Sequence, residues 1–514
     1  MKRLVVCCDG TWNTPEQEEN NTPAPTNVIR LYNSVAARDA AGTEQLRYYH
    51  PGVGVEGGFF ARTAGGLYGA GIDQNIMSGY GWLARHYRPG DAVYLFGFSR
   101  GAYTARSLAG FIGRCGLPDT TRLSEAAFWK RVATAYEQGY RHRRPPRMWR
   151  RRWPWLDPRR IHITFIGVWD TVGALGIPDD LALLNLLDNP QRWRFHDTRL
   201  GSRVRFARQA LALDEWRANF TPTLWTDAQG RPLQSGRRVK QLWFPGVHAD
   251  VGGGYADHGL SDIALQWMID EARATGLAFD DALLTPDQVT PAPRGPLHNS
   301  RKGLFKALPT RPRPIPRFAE HSPWLHESAW IRHKTPPITQ APYHPTTALD
   351  APGATAATRV YAMEEWNETG VYLPAGTYDF AAEGEWVDKT IPCGPAGTAD
   401  GEFRAGEIAH LAGTLLGKLE GVFKSLTGNE KADFKFTRRV ESAPWFSLIG
   451  VVANGGNPAP DSTQIADHQM IPIGAGQAGI EIREPGYLYA FANDAWHFYG
   501  NNRGSVRLTV TRRA

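Results

Sequence analysis

Cysteine is scarce in this chain: four thiols (Cys7, Cys8, Cys115, Cys393) among 514 residues. Their spacing supports neither a disulfide framework nor a cysteine metal site. Cys7 and Cys8 fall inside an apolar run and read as core. No run of 18 apolar residues occurs, so no segment is expected to span a membrane. No charged n-region with an apolar h-region stands ahead of the first strand, so no conventional signal peptide is expected. A chain of this kind is made in the cytoplasm, and any export would take a signal-free route. Acid is in deficit: 51 Asp and Glu against 58 Lys and Arg give a formal net charge of +7, with a pI near 9.2. That balance suits an anionic surface such as a membrane or nucleic acid. The length exceeds one core and suffices for two or three domains.

The most informative segment is Gly97-Phe98-Ser99-Arg100-Gly101. The apolar run Asp91–Phe96 precedes it, and a helix-like stretch, Ala102–Ile112, follows. This is G-x-S-x-G in a strand–turn–helix context. The glycines permit a sharp turn that lifts the Ser99 hydroxyl above a sheet, at a helix N-terminus that favours developing negative charge. The bland reading is a Gly-rich turn.

A serine needs a base and a group that orients the base. Ile161–Trp169 reads as a buried strand closed by Asp170, and Lys240–Phe244 as another strand leaving through Pro245-Gly246-Val247-His248-Ala249-Asp250 into Gly252–Gly254. Asp170 is the expected orienter and His248 the expected base, in the chain order serine, acid, histidine. A helix cap or turn is the other reading of Asp170. Asp250 is the rival acid, and His258, His298 and His326 are competing bases.

Lys2–Cys8 reads as a first buried strand ending in the turn Asp9-Gly10-Thr11-Trp12-Asn13. An oxyanion hole would draw on the N–H of Arg100 and on that of Gly10 or Thr11, with Asp9 holding the loop. A strand followed by Asp-Gly-Thr also resembles the aspartate-nucleophile phosphatases. Their chemistry needs a carboxylate two positions before Asp9, where this chain has Cys7.

Cys8–Asn13, Gly97–Tyr103, Gly167–Val172, Ala212–Glu215 and Trp243–Tyr255 together resemble the type VI lipase effector family, in the same order, over residues 1 to about 340. Gly295–Asn299 and Leu325–Ser328 fit it as well. The resemblance implies a Ser-Asp-His α/β hydrolase, with Ser99, Asp170 and His248 carried over. It also implies hydrolysis of glycerophospholipid acyl esters without a catalytic cofactor, delivery into competing bacteria by a secretion apparatus, and a neutralising immunity protein.

Between the serine helix and the Asp170 strand lies a basic, aromatic insertion (120–160). Its segment 141–160 holds nine arginines and three tryptophans, Trp149, Trp153 and Trp155. It reads either as a docking surface on anionic phospholipid or as a surface excursion whose tryptophans pack on the domain. Nucleic acid is not expected as a partner, because no nucleic-acid fold surrounds the segment. Proline then crowds residues 280–355, as in Leu308–Arg317, which excludes continuous helix and central strand. That tract is expected to wrap a hydrolase domain spanning 1–342. A linker is expected over 343–359.

Residues 360–514 read as a β-rich domain, with strands at Gly370–Phe380 and Gly504–Thr511 and one amphipathic helix at about 405–424. The stretch Trp445–Arg512 resembles calcium-dependent, galactose-binding bacterial lectins. The resemblance implies an all-β sandwich and a Ca²⁺ held by Asp494, the Phe498 carbonyl, Asn501 and Asn502, ahead of Gly504. Oxygen ligands of this kind suit a hard cation, and turn chemistry favours the same residues. A glycan is the partner so implied. The competing expectation for the whole chain is a lectin-like adaptor carrying a non-lipolytic esterase domain.

Overall fold

The computed structural model describes residues 1–10, 17–52, 71–121, 123–150, 155–172, 199–233, 236–302, 305–306, 309–398, 438–457, 465–496 and 498–514. Thr11, Trp153 and the expected helix at 405–424 lie outside these residues.

The N-terminal half is built on a six-stranded parallel sheet. In chain order its elements are β1 (Arg3–Cys8), α1 (Asn27–Ser34), β2 (Gln45–His50), α2 (Ile72–His86), β3 (Ala92–Phe98), α3 (Arg100–Cys115), α4 (Glu125–Thr134), β4 (Ile163–Trp169), β5 (Val204–Ala212), β6 (Val239–Phe244), α5 (His248–Gly252), α6 (Gly259–Arg273) and α7 (Glu327–Lys334). The strand order is β6-β5-β4-β3-β1-β2, and every pairing is parallel. A parallel sheet is covered on both faces, so its strands read as continuous apolar runs. Alternate residues accordingly serve opposite cores. Leu4, Val6, Leu95 and Ile166 pack with Tyr80 and Leu83 of α2 and Leu108 and Phe111 of α3. Val5, Cys7, Phe96 and Phe165 pack with Val28 and Leu31 of α1 and Ile263 and Met268 of α6.

The C-terminal half holds β7 (Thr347–Ala348), β8 (Thr355–Tyr361), β9 (Asn367–Leu373), β10 (Gly376–Asp388), β11 (Ile391–Cys393), β12 (Leu448–Ala453), β13 (Gln469–Pro472), β14 (Gly476–Ile482), β15 (Gly486–Ala492) and β16 (Asn502–Arg512). One sheet runs β7-β9-β15-β12-β13. The other runs β8-β16-β10-β11, with β14 also paired to β10. Both sheets feed one core, which includes Val360, Val371, Tyr378, Trp386, Leu448, Leu488 and Val506.

The expected linker over 343–359 is corrected. Tyr343 is buried, Thr347–Ala348 pairs with β9, and Thr355–Tyr361 pairs along β16. Proline and small residues mark this stretch as irregular, yet it supplies an edge strand to each sheet. The proline-rich tract packs against both halves. Ile315 and Phe318 join Leu211, Trp243, Tyr487 and Tyr489 in an apolar cluster that links the two halves.

Candidate active site

β3 ends at Phe98, and α3 begins at Arg100. Ser99 is the single residue between them, with φ 56° and ψ −122°, a strained backbone for a non-glycine residue. Its neighbours make the turn possible. A Cβ on Gly97 would lie 2.3 Å from the Gly101 carbonyl oxygen, and one on Gly101 would lie 2.1 Å from that of Cys8. The second contact also seats the start of α3 against the end of β1, beside Asp9 and Gly10.

Sheet register places the other groups. Phe98 pairs with Trp169, and Trp169 with Ala210. Ser99 N–H donates to the Trp169 carbonyl at 3.1 Å, and Asp170 N–H to that of Ala210 at 2.7 Å. Ser99 and Asp170 therefore stand at the carboxyl ends of neighbouring strands. Asp170 is fully buried, with φ 37°. One oxygen accepts from Ala212 N–H (3.0 Å) and Arg313 Nη1 (2.7 Å). The other accepts from Arg313 Nη2 (2.9 Å) and meets His248 Nδ1 at 2.5 Å. Burial would push this carboxyl up. The Arg313 charge and the bonds from His248 and Arg313 outweigh it and hold the group well below the carboxylate range.

His248 opens α5, four residues past β6. Its ring lies against Phe98, next to Ser99, at a centroid distance of 4.6 Å, and against Phe220 at 4.9 Å. The bond from Nδ1 to a carboxylate assigns the proton to Nδ1 and leaves Nε2 as the basic nitrogen. Nε2 is buried and makes no hydrogen bond to a described residue, Ser99 included. Burial lowers the imidazole below its ordinary value, although Asp170 works against the shift. The ring is therefore neutral at pH 7 and able to take a proton.

Asp250, the rival acid, has other work. It accepts from Val247 N–H at 3.0 Å at the start of α5 and pairs with His298 Nδ1 at 2.5 Å. The competing histidines are likewise occupied. His258 pairs with Asp262 at 2.8 Å, His298 stacks on Tyr255, and His326 bonds Ser328 and stacks on Phe244.

The oxyanion candidates divide. Arg100 is the first residue of α3, where N–H groups precede the helical ladder. Gly10 N–H is turned to the Asp9 carboxylate at 2.8 Å, which removes it from the hole in this conformation. Asp9 also accepts from Thr26 Oγ1 (2.6 Å) and the Tyr49 hydroxyl (2.8 Å).

Two supporting groups carry no sequence assignment. Glu215 is buried, receives Arg217 at 2.9 and 2.8 Å, and accepts from Ser300 Oγ (2.9 Å) and the His248 backbone N–H (3.3 Å). Arg313 comes from the proline-rich tract. Its flanking prolines were the visible signal; its partner 143 residues away was not.

One sequence candidate is overturned. Trp149 is 2% exposed and therefore cannot contact a membrane. Its ring fills the space beside Gly139 and Cys115, and its Nε1 donates to the Arg144 carbonyl at 3.1 Å. Trp155 is half-buried against it at 5.2 Å. The tryptophans gain more by packing inward, and the arginines stay outside: Arg143, Arg144, Arg147, Arg159 and Arg160 are exposed.

In the C-terminal domain, Asp494 accepts from Ala495 N–H (2.7 Å) and Asn502 Nδ2 (2.9 Å). Asn501 donates to Asp388, a carboxylate that sequence reasoning missed. Phe498 precedes the short turn Tyr499–Asn501. Burial, aided by Asp388, pushes Asp494 up to about 6. Asn502 Oδ1 is buried and has no hydrogen-bond partner among the described residues. Two carboxylates and two amides, one of them with its oxygen unengaged by any described residue, fit a hard cation. Among the described residues no three of His, Cys, Asp and Glu gather as a metal group.

A cavity of about 850 Å³ lies between the two halves, lined by Asp214, Trp216, His344, Trp366, Glu368 and Tyr489 among others. It does not include Ser99, so volume is a poorer guide here than the geometry at the strand ends.

A parallel sheet with a serine on the elbow after a central strand, then an acid and a histidine in that chain order, fits the α/β-hydrolase class. A model of the type VI secretion system (T6SS) phospholipase effector Tle1-like catalytic domain matches residues 2–271, and the chain belongs to that family. An uncharacterized protein of Saccharomyces cerevisiae is 29% identical over 246 residues, which is 44% of this chain and 33% of that protein. The Tle1 effector bound to the VgrG spike of the type 6 secretion system shares 18% identity over 49% of this chain and 51% of that one, with a TM-score of 0.29. The EclA N-terminal domain, a PllA-like lectin, shares 19% identity and covers 30% of this chain and 94% of that one, with a TM-score of 0.18. The chain thus spans about a third of the yeast relative's length and about half of the effector's.

Proposed function

We propose that this chain is a serine phospholipase that hydrolyses acyl esters of glycerophospholipids. The observation that carries this reading is the His248–Asp170 pair, 2.5 Å apart and packed beside the strained elbow that presents Ser99. His248 Nε2 takes the Ser99 proton as Oγ attacks the ester carbonyl. Asp170 holds the imidazolium, and the Arg100 N–H faces the developing oxyanion. The imidazolium then protonates the leaving alcohol. Water, deprotonated by His248, releases the fatty acid from the acyl-enzyme. The family supports a lipid ester as the substrate.

We extend the proposal to delivery and docking. Family membership supports export by a type VI apparatus, a spike component such as VgrG as the carrier, action at a competitor's membrane, and a cognate immunity protein. In the C-terminal domain, Asp494, Asn501, Asn502 and the Phe498 carbonyl, joined by Asp388, would hold Ca²⁺. Bound there, the ion would offer coordination positions to glycan hydroxyls, as in the lectins this domain resembles.

The test is fatty-acid release from mixed phosphatidylethanolamine and phosphatidylglycerol vesicles, wild type beside Ser99→Ala, with and without calcium. Release by wild type alone supports the reading. Cleavage of short-chain esters without release from vesicles would redirect it to a non-lipid esterase, and no turnover of any ester would leave a binding adaptor.

A further inference from the structure

Residues 310–318, the part of the proline-rich tract that carries Arg313, are held from both sides. On one side Arg313 reaches Asp170. On the other, the C-terminal domain holds its neighbours. Trp366 Nε1 donates to Thr310 Oγ1 (3.0 Å), Arg311 Nη2 to the Ala466 carbonyl (2.7 Å), and Phe318 N–H to the Tyr487 hydroxyl (2.9 Å). The contact nearest Arg313 in the chain is made by His468. Gly455 N–H donates to its Nδ1 (2.9 Å), which places the ring proton on Nε2, and Nε2 donates to the Pro312 carbonyl (2.8 Å). Burial, aided by the Arg311 charge, pushes this imidazole down to about 3, so it keeps that neutral form at neutral pH. Gly456 allows the close approach: its φ is 145°, and a Cβ there would lie 2.9 Å from Pro314 Cγ. The same loop reaches a second segment beside Asp170. Asn457 Oδ1 accepts from Leu224 N–H (2.9 Å), and the adjacent Thr223 N–H donates to the Thr171 carbonyl (3.0 Å).

We propose that the C-terminal domain positions the ester-hydrolysing site, with His468 as the positioning residue that sets Arg313 and thereby the charge that Asp170 presents to His248. The inference rests on the reading of Ser99, His248 and Asp170 as that site. Arg313 follows directly on the carbonyl that His468 holds. Pro312 and Pro314 fix φ on either side of it, so the strap passes a displacement on rather than absorbing it. The two bonds from Arg313 to Asp170 form a fork whose strength depends on alignment. A guanidinium drawn out of line leaves more of the carboxylate charge to act on the imidazole, which then keeps its proton to higher pH.

The experiment uses the full chain as wild type, His468→Ala, Gly456→Ala, Arg313→Met and the double variant His468→Ala/Arg313→Met. It follows the pH titration of the His248 Nδ1 proton by NMR, assigned by its loss in His248→Gln, beside a pH–rate profile on a soluble ester. Gly456→Ala pushes on Pro314 and leaves the His468 side chain in place, so it decides the matter should His468→Ala fail to fold. The His248 midpoint should move to higher pH in both single variants, by less than in Arg313→Met, and no further in the double variant than in Arg313→Met. In His468→Ala, kcat should fall roughly tenfold with KM little changed, the size of one displaced hydrogen bond. A lowered melting temperature with a wild-type titration in the folded variants would mean a merely structural contact and overturns the proposal. A shift in the double variant equal to the sum of the two singles overturns it as well, because His468 would then act by a route other than Arg313. A wild type that hydrolyses no ester would instead refute the hydrolase reading, and the His248 titration would still decide whether the C-terminal domain sets the Asp170–His248 pair.

Discussion

Replacing Arg313 by methionine tests the proposed site through a residue remote from it in sequence. The side chain is buried and makes four charged hydrogen bonds: two to Asp170 at 2.7 and 2.9 Å, and one each to the carbonyls of Ala212 (2.7 Å) and Phe220 (2.6 Å). Removing one partner of a buried ion pair costs about 3–5 kcal/mol. The orphaned carbonyls are included in that figure, because a methionine cannot serve them. At about 2 °C per kcal/mol for a domain of this size, the hydrolase transition should fall by roughly 6–10 °C. The catalytic signature is separate. Without the guanidinium, the Asp170 charge acts on His248 uncompensated, so the imidazole should gain protons more readily and the acid limb of kcat/KM should move to higher pH. The stability difference has its own pH dependence. Asp170 has a depressed folded-state pKa, so its contribution is present above the ordinary carboxylate pKa of about 4 and is lost as pH falls below it. The gap in melting temperature between wild type and variant should therefore narrow on acidification. Calorimetry across pH 3–8 and a pH–rate profile on a soluble ester measure both effects. An unchanged melting temperature together with an unmoved acid limb would refute the assignment of Arg313 as the group that holds Asp170.

The wild-type acid limb itself should lie below the ordinary histidine value of about 6.5, because burial lowers His248; a limb above that value would point to another base. Gly101→Ala should remove ester turnover and cost at least about 3 kcal/mol, since its Cβ would sit 2.1 Å from a backbone oxygen that cannot yield without moving β1; a soluble, active, equally stable variant would contradict the elbow geometry. Asp494 is raised to about 6, so its contribution to stability is present below the ordinary carboxylate pKa and lost as pH rises through 6. The metal-free C-terminal domain should accordingly be weakest near neutral pH, calcium should raise its melting temperature there, and calcium affinity should fall about tenfold per unit below pH 6. Asp494→Asn should abolish the calcium response, and a wild type indifferent to calcium at pH 7.5 would remove the metal from this loop.

The positioning groups divide the labour around His248. Glu215 takes its backbone N–H and Asp170 its Nδ1, so both the start of α5 and the ring are fixed by carboxylates. Asp250, two residues on, holds the entry to α5 through Val247 N–H and ties it to the His298 turn. An imidazole held at backbone and ring has little freedom to leave the elbow, the restriction that the proposed proton transfer needs.

Local chemistry alone made several features legible. The apolar runs ending at Phe98, Trp169 and Phe244 are strands because a parallel sheet buried on both faces admits few other residues. Gly97 and Gly101 mark the elbow because only glycine tolerates contacts of 2.3 and 2.1 Å at a Cβ position. Asp170 and His248 follow from their places just past strand ends. Other features depended on the tertiary structure. β2 and β5, less uniformly apolar in sequence, were not anticipated as strands. Arg313 reaches Asp170 across 143 residues, and no periodicity encodes that pairing. Trp149 reads the same in sequence whether it packs inward or outward, and the space beside Gly139 decided the matter. Thr355–Tyr361 resembles a linker until β16 offers it a ladder. The division has one physical cause: backbone preference and burial pattern act over a few residues, whereas ion pairs, packing partners and edge strands are chosen only when distant segments meet.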